Sequence, residues 1–185
     1  MISVDEHSPG YGQISIRAYY KHLAQEIETT NTDDSQNILS LKPTGRIVAI
    51  DPGTKRFGMA ICDETRSVAR PLSIVERSSW KKLLLAVKDI ISEFDAAALV
   101  IGLPLNSDGG ESEMSLYARE IARKFTLSLS IPVFLQDERV STYAARGRVW
   151  QNPSASRETW VDSEAACIIL EDFLDRARSL RGKSS

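Results

Sequence analysis

Acidic side chains stand at three places in this 185-residue chain where regular structure should start or stop. Asp51 ends the apolar run 47–50 and is followed at once by Pro52-Gly53-Thr54-Lys55-Arg56-Phe57-Gly58. Asp137 and Glu138 end the run 131–136, and Asp162 heads the apolar stripe of the last helical segment, ahead of Ala166 and Ile169. A carboxylate at the rim of a buried strand costs stability unless it is paired or bound to metal. Several carboxylates in one place cannot all ionise without cations. Brought together, these acids would form an all-oxygen site suited to Mg²⁺ or Mn²⁺. Two such ions, roughly 3.5–4 Å apart, activate a water and stabilise the leaving oxygen of a phosphodiester. That is the chemistry of a nuclease. Each acid taken singly has a plainer use: Asp51 could bond the turn amides of Gly53 and Thr54, Asp162 could cap its helix, and Glu138 could pair with Arg139 at the surface. Agreement among the three positions favours the shared site.

The elements that must position these acids follow from the apolar pattern. Residues 47–50 and 97–103 are apolar runs without alternation, as expected of strands buried on both faces. Residues 57–62 and a stretch near 69–75 read as two more strands, joined by turns short enough to pair neighbours antiparallel. Trp80, Leu83, Leu84, Val87, Ile90, Ile91 and Phe94 fall on one helical face, with Ser78 or Ser79 as cap. Met114, Tyr117, Ala118, Ile121, Ala122 and Phe125 mark a second helix, and 131–136 is a fifth strand. Ser141 caps a helix reaching about Trp150, 151–159 is a loop, and the last helix starts at Asp162. Helices between strands imply parallel crossovers. The expected fold class is α/β: a five-stranded mixed sheet, three antiparallel strands then two parallel, flanked by helices. The carboxyl ends of its strands share the edge at which ligands collect in such sheets.

Composition bounds the rest. A chain 42% hydrophobic and 26% charged has the makings of one globular domain with an appendage. Residues 1–44 carry six acids against three bases, while the other 141 carry 19 against 20, so net charge gives no argument of its own for a nucleic-acid ligand. The expected division is an N-terminal extension over 1–44, one short helix or largely flexible, a body over 45–178 and a polar tail over 179–185. No apolar run reaches the roughly 18 residues of a membrane helix, and the start lacks a signal-peptide pattern. Cys62 and Cys167 lie in apolar surroundings without metal-ligand spacing, as buried free thiols of a reducing compartment would, which points to the cytoplasm.

Four blocks, in order, resemble the YqgF family, also called RuvX. They are Ile50-Asp51-Pro52-Gly53-Thr54-Lys55-Arg56-Phe57-Gly58; Gly102-Leu103-Pro104-Leu105 with Asp108-Gly109; Asp137-Glu138-Arg139-Val140-Ser141-Thr142; and Val161-Asp162-Ser163-Glu164-Ala165-Ala166 with Ile169-Leu170. The family has a ribonuclease H-like fold, is similar to Holliday junction resolvases, and is regarded as a group of pre-16S ribosomal RNA nucleases. The resemblance covers 45 to about 178. It implies catalytic acids at Asp51, Glu138 and Asp162, with Asp137 as the alternative to Glu138 among the metal ligands. It implies phosphate contacts at Lys55, Arg56 and Arg139, further substrate contacts at Ser141 and Thr142, and a substrate groove shaped by the loop of Asn106 and Asp108. It also implies maturation of the rRNA 5′ end, with pre-rRNA or ribosome precursors as partner. Beside it, the expected cofactors are two Mg²⁺ or Mn²⁺ ions, with no membrane partner, and the expected protein is cytoplasmic and a monomer or weak homodimer. Tyr143 and Trp150 could stack on bases, although packing is the commoner use of such residues. The sequence departs from the family in the loop before Asp162, where Arg157 is offset by Glu158, and in its long leader.

Three other readings compete. A DNA junction resolvase would need the same carboxylates. A silent RNA-binding module for ribosome assembly would keep the pocket without turnover. Asp-x-Gly-Thr also resembles the phosphate loop of sugar kinases and actin-like ATPases, but those folds use two lobes and this body has room for one.

Overall fold

A computed structural model describes residues 34–138 and 157–183, with side chains from 35 and from 163 in the two stretches. The elements are α1 (Asp34–Ser40), β1 (Ile47–Pro52), β2 (Arg56–Cys62), β3 (Ala69–Pro71), β4 (Val75–Glu76), α2 (Trp80–Phe94), β5 (Ala98–Leu103), α3 (Glu113–Ser128), β6 (Val133–Asp137) and α4 (Arg157–Lys183). They build one sheet in the order β3-β2-β1-β5-β6, with β4 also paired to β2. The pairings β1–β2, β2–β3 and β2–β4 are antiparallel, and β1–β5 and β5–β6 are parallel. This is the ribonuclease H-like arrangement.

The apolar runs are buried on both faces, as expected of strands without alternation. All of β5 is buried, and β1 is buried at every residue but Asp51. Successive side chains point to opposite faces, so the core falls into two halves. Ile47, Ala49, Ala98, Val100 and Phe134 meet Ala166, Leu170 and Phe173 of α4. Val48, Ile50, Leu99 and Ile101 meet Leu83 and Val87 of α2 and Ile121 and Phe125 of α3. Local chemistry closes the helices: the Lys82 N–H donates to the Ser79 hydroxyl at 3.3 Å, and Ser112 and Ser115 form a capping box at the start of α3.

Four expectations need correcting or placing. The strand expected near 69–75 is two short ones, so the sheet has six strands. Pro71 brings no N–H to continue the ladder, and the Leu72 carbonyl instead accepts from Ser163 Oγ of α4 at 2.9 Å. The last helix begins at Arg157, not Asp162, and runs to Lys183. Asp162 is therefore inside the helix, not its cap, and the final turns are held where Arg181 Nη2 donates to the Leu41 carbonyl at 2.6 Å. Within the expected extension, α1 packs against the body, with Ile38 wholly buried beside α4 residues. The helices expected around Ile16–Ile27 and from Ser141 to Trp150 lie outside the described residues. Among the described residues, no helix is long and apolar enough to cross a membrane.

Ile38→Ala should cost about 2–4 kcal/mol, the range for emptying a buried branched side chain, read by urea unfolding of the full chain. A loss below about 0.5 kcal/mol would show that α1 does not share the core.

Candidate active site

The carboxyl ends of β1, β5 and β6 lie side by side. Ile50 pairs with Ile101, which sets Asp51 beside Gly102, and Gly102 pairs with Gln136. By strand alternation Asp51, Gly102 and Gln136 take the α4 face, with Ala49, Val100 and Phe134 below them. Leu103 and Asp137, the next pair in register, take the opposite face. Glu138 follows directly on β6. Its carboxylate lies across Gly102: a Cβ built on that glycine would overlap Glu138 Oε1 and sit 2.6 Å from Ile169 Cδ1 of α4. Gly102 is thus a glycine because the carboxylate fills the space its side chain would need.

Burial pushes the Glu138 carboxyl up to about 7, with the negative charges of Asp51 and Asp137 adding to the rise. The structure therefore gathers Asp51, Asp137 and Glu138 into one electrostatic neighbourhood, with Asp51 and Glu138 on the same face of the sheet. Asp162 is the sixth residue of α4, two turns before Ile169, the residue that touches the Gly102 site. Arg139, Ser141 and Thr142 lie outside the described residues.

Among the described residues, no group of three His, Cys, Asp or Glu side chains is set to hold a metal ion. The donor chemistry nonetheless fits a hard divalent cation. Asp51 and Glu138 supply carboxylate oxygens at a half-buried rim, and a cation is what relieves like charges forced together.

The remaining expected residues surround this edge. In the turn after Asp51, the Gly53 N–H donates to the Asp51 backbone carbonyl at 3.0 Å. Lys55 is exposed and Arg56 half-buried at the start of β2. Asn106 and Asp108 shape their own loop. Asp108 Oδ1 accepts from the Gly110 N–H at 2.8 Å, Asn106 Nδ2 donates to the Glu111 carbonyl at 3.4 Å, and the Asn106 N–H donates to the Gly110 carbonyl at 2.9 Å.

Two residues of the site were given no role from the sequence. The first is Gly102 as the seat of Glu138; the signal was a glycine inside an otherwise apolar strand. The second is Gln136, which is 6% exposed. Its Nε2 donates to the Asp137 carbonyl at 3.2 Å, and among the described residues its Oε1 is buried without a hydrogen-bond partner.

Comparison with known proteins agrees with the sequence blocks. The family model described as "RuvX: Holliday junction resolvase" matches residues 45–176. A protein of Anaeromyxobacter sp. (strain Fw109-5) named "Putative pre-16S rRNA nuclease" is 37% identical over 132 residues, 70% of this chain and 96% of that protein. One of the same name from Methylocella silvestris is 38% identical over 140 residues, 75% of this chain and 87% of that protein. Among solved structures, T. thermophilus RuvC in complex with a Holliday junction substrate aligns with TM-score 0.47 and 16% identity, over 73% of this chain and 97% of that one.

The crowding of Glu138 predicts a pH dependence. Its folded value of about 7 lies above its ordinary 4.5, so between the two the folded state holds the proton more tightly than the unfolded chain does. Stability of the metal-free protein should fall as pH rises through that window and level off above it. Asp63 does not interfere. Its carboxyl is held down at about 2 by the Thr65 hydroxyl and then by backbone N–H groups of the same turn, so its stabilisation is lost only as pH falls below about 4. Urea unfolding in EDTA across the pH range should show the fall in the wild type and a flatter profile in Glu138→Gln. Equal slopes in the two proteins would mean that Glu138 is not crowded.

Proposed function

The chain belongs to the RuvX family and is a nuclease, and we propose that it is a metal-dependent one that cuts RNA to mature the 5′ end of pre-16S rRNA. The observation that carries the metal-dependent chemistry is the Glu138 carboxylate laid across Gly102 and crowded by Asp51 at the open ends of the strands. RNA as substrate is supported by the names of the relatives that the chain matches over most of their length.

Asp51, Glu138 and Asp162 would hold Mg²⁺ or Mn²⁺, as two ions. When bound, these supply an activated water and charge stabilisation at the leaving oxygen. Between Asp137 and Glu138, the face of the sheet favours Glu138 as the ligand, and Asp137 contributes negative potential from the other side. Glu138 without a cation is only partly ionised near neutral pH, so cation capture displaces the remaining proton and should strengthen as pH rises. Lys55, Arg56 and Arg139 would meet substrate phosphates, with Ser141 and Thr142 beside them. The loop of Asn106 and Asp108, pinned by its own hydrogen bonds, forms a wall of the groove. The site would work in the cytoplasm on pre-rRNA within ribosome precursors, the protein acting as a monomer or weak homodimer. A second reading, cleavage of four-way DNA junctions, is favoured by the description of the family model, and it needs the same carboxylates.

Asp51→Asn should lower cleavage about a hundredfold or more while leaving folding and RNA retention intact, since one carboxylate contributes several kcal/mol to a divalent site. The assay is cleavage of precursor rRNA and of a four-way DNA junction, with Mn²⁺, by wild type and variant side by side. Wild-type protein that cuts neither polymer sinks the catalytic reading in favour of a silent module. Preference for the junction transfers the reading to DNA.

A further inference from the structure

A second feature of the same rim is not used by the acids. Arg77 follows β4 and is exposed, yet its guanidinium is fixed from several sides. Its central carbon lies 3.7 Å from the ring centroid of Tyr117 on α3. Its Nη1 donates to the Thr54 carbonyl at 3.3 Å, and its backbone N–H donates to the Lys55 carbonyl at 2.9 Å. Arg77 thereby stitches the turn after Asp51 to the start of α3. Holding a long cationic side chain still costs rotamer entropy, which stacking on the aromatic face offsets. The product is a planar donor fork held in place at the surface, a geometry that suits phosphate oxygens.

More cations stand along this rim. Lys55 lies in the turn, and Lys81 and Lys82 lie in the first turn of α2, all of them exposed. That turn contains no acidic residue, although the positive end of a helix disfavours lysines there. Glu111, in the loop before α3, is engaged by Arg119 at 2.8 Å. Glu76, next to Arg77 in sequence, and Glu113 in the first turn of α3 offset part of this charge and leave the group net positive. All of this lies at the end of the sheet where β1 finishes and α2 and α3 start.

We propose that Lys55, Arg77, Lys81 and Lys82, with Tyr117 beneath Arg77, form a ledge for the sugar-phosphate backbone of the strand that continues from the scissile bond across the sheet edge to the α2 and α3 side. The proposal rests on the nuclease reading above. Thr54 is three residues from Asp51, a span of at most about 11 Å of chain, so the ledge begins within a few nucleotides of the acids. Arg77 already covers the Tyr117 ring, so the ledge reads phosphate and not bases. Its binding is therefore indifferent to sequence and sensitive to salt.

The test uses the full chain with Arg77→Gln and, separately, with Lys81→Gln and Lys82→Gln together; all three side chains are exposed, and only Arg77 also holds the turn. Anisotropy of a short fluorescein-labelled RNA in EDTA, over a series of KCl concentrations, reads affinity, and steady-state cleavage in Mn²⁺ reads KM and kcat. Each variant should bind several-fold more weakly, and its slope of log affinity against log salt should fall by about 0.7 for each phosphate no longer neutralised. KM should rise more than kcat falls. Cleavage with unchanged KM and salt slope in both variants overturns the ledge and leaves the nuclease reading standing. Salt-dependent binding that the variants weaken, with no cutting by the wild type, keeps the ledge and overturns the nuclease reading. A lower melting temperature in Arg77→Gln with the same salt slope, and an unaffected lysine variant, assigns Arg77 to holding the turn and overturns the ledge.

Discussion

Burial of β1 and β5 on both faces is the constraint from which the site follows. With α4 packed on one side of the sheet and α2 and α3 on the other, neither strand has a solvated position along its length at which a charge could sit cheaply. Polar chemistry is confined to the strand ends. Asp51 is the one residue of β1 that is not fully buried, and it stands where the strand is about to turn. On β5 the corresponding place is given up to space, through Gly102, and Glu138 from the neighbouring strand end occupies that space. The acids are neighbours because the sheet offers them a single open edge.

The opposite end of the sheet handles buried charge differently. Arg66, 5% exposed, sits in a left-handed turn with φ of 57°. Its Nε donates to the Gly45 carbonyl at 2.8 Å and its Nη2 to the Thr44 carbonyl at 3.0 Å. Arg178 of α4 donates to the Arg66 carbonyl at 2.8 Å. A guanidinium has only donors, and chain segments passing a sheet end present many carbonyls, so backbone alone can satisfy it. A carboxylate has only acceptors and needs N–H groups, a proton or a cation. Burial therefore locks the arginine end into structure, while at the acidic end even partial burial raises the affinity of Glu138 for a proton.

What could be read from the sequence was what depends on one element at a time. Strands 47–50 and 97–103 announce themselves by unbroken apolar residues, and Ser79 caps α2 because capping is settled within one helical turn. The carbonyl of Leu72, just past β3, is bound by Ser163, 91 residues further along the chain, and no local pattern carries that. Ile38, Leu39 and Leu41 make too short an apolar stretch to show a helical period, so the burial of Ile38 under α4 leaves no clear trace in the sequence. Asp162 resembles a cap by residue type, but a helix start is also set by the residues before it, and α4 begins five residues earlier. At the site, the meeting of Asp51 with the 137–138 pair was legible from strand ends alone. Which of the pair shares the face of Asp51 required the register of β6 on β5, a property of the pairing and not of either strand. Cys62 and Cys167 are buried free thiols, as their surroundings implied.

Register also separates Arg77 from the acids at the working edge. Asp51 and Glu138 belong to the α4 face, whereas Arg77 and Tyr117 belong to the side of α2 and α3, with the turn between β1 and β2 separating them. Had Arg77 stood on the face of the acids, its guanidinium would have lain within reach of a carboxylate, lowering the carboxylate pKa and spending donors that a phosphate would use. Two unit charges about 4 Å apart attract by roughly 4 kcal/mol near a protein surface, enough to close such a pair against weakly held ligands. Placing Arg77 away from the acids leaves Glu138 raised first by burial and then by Asp51 and Asp137. It also leaves the cations facing solvent. On the proposed reading, a polyanion crossing that edge would meet cation-binding carboxylates on one side and phosphate-binding side chains on the other, with the turn between β1 and β2 setting the offset between them.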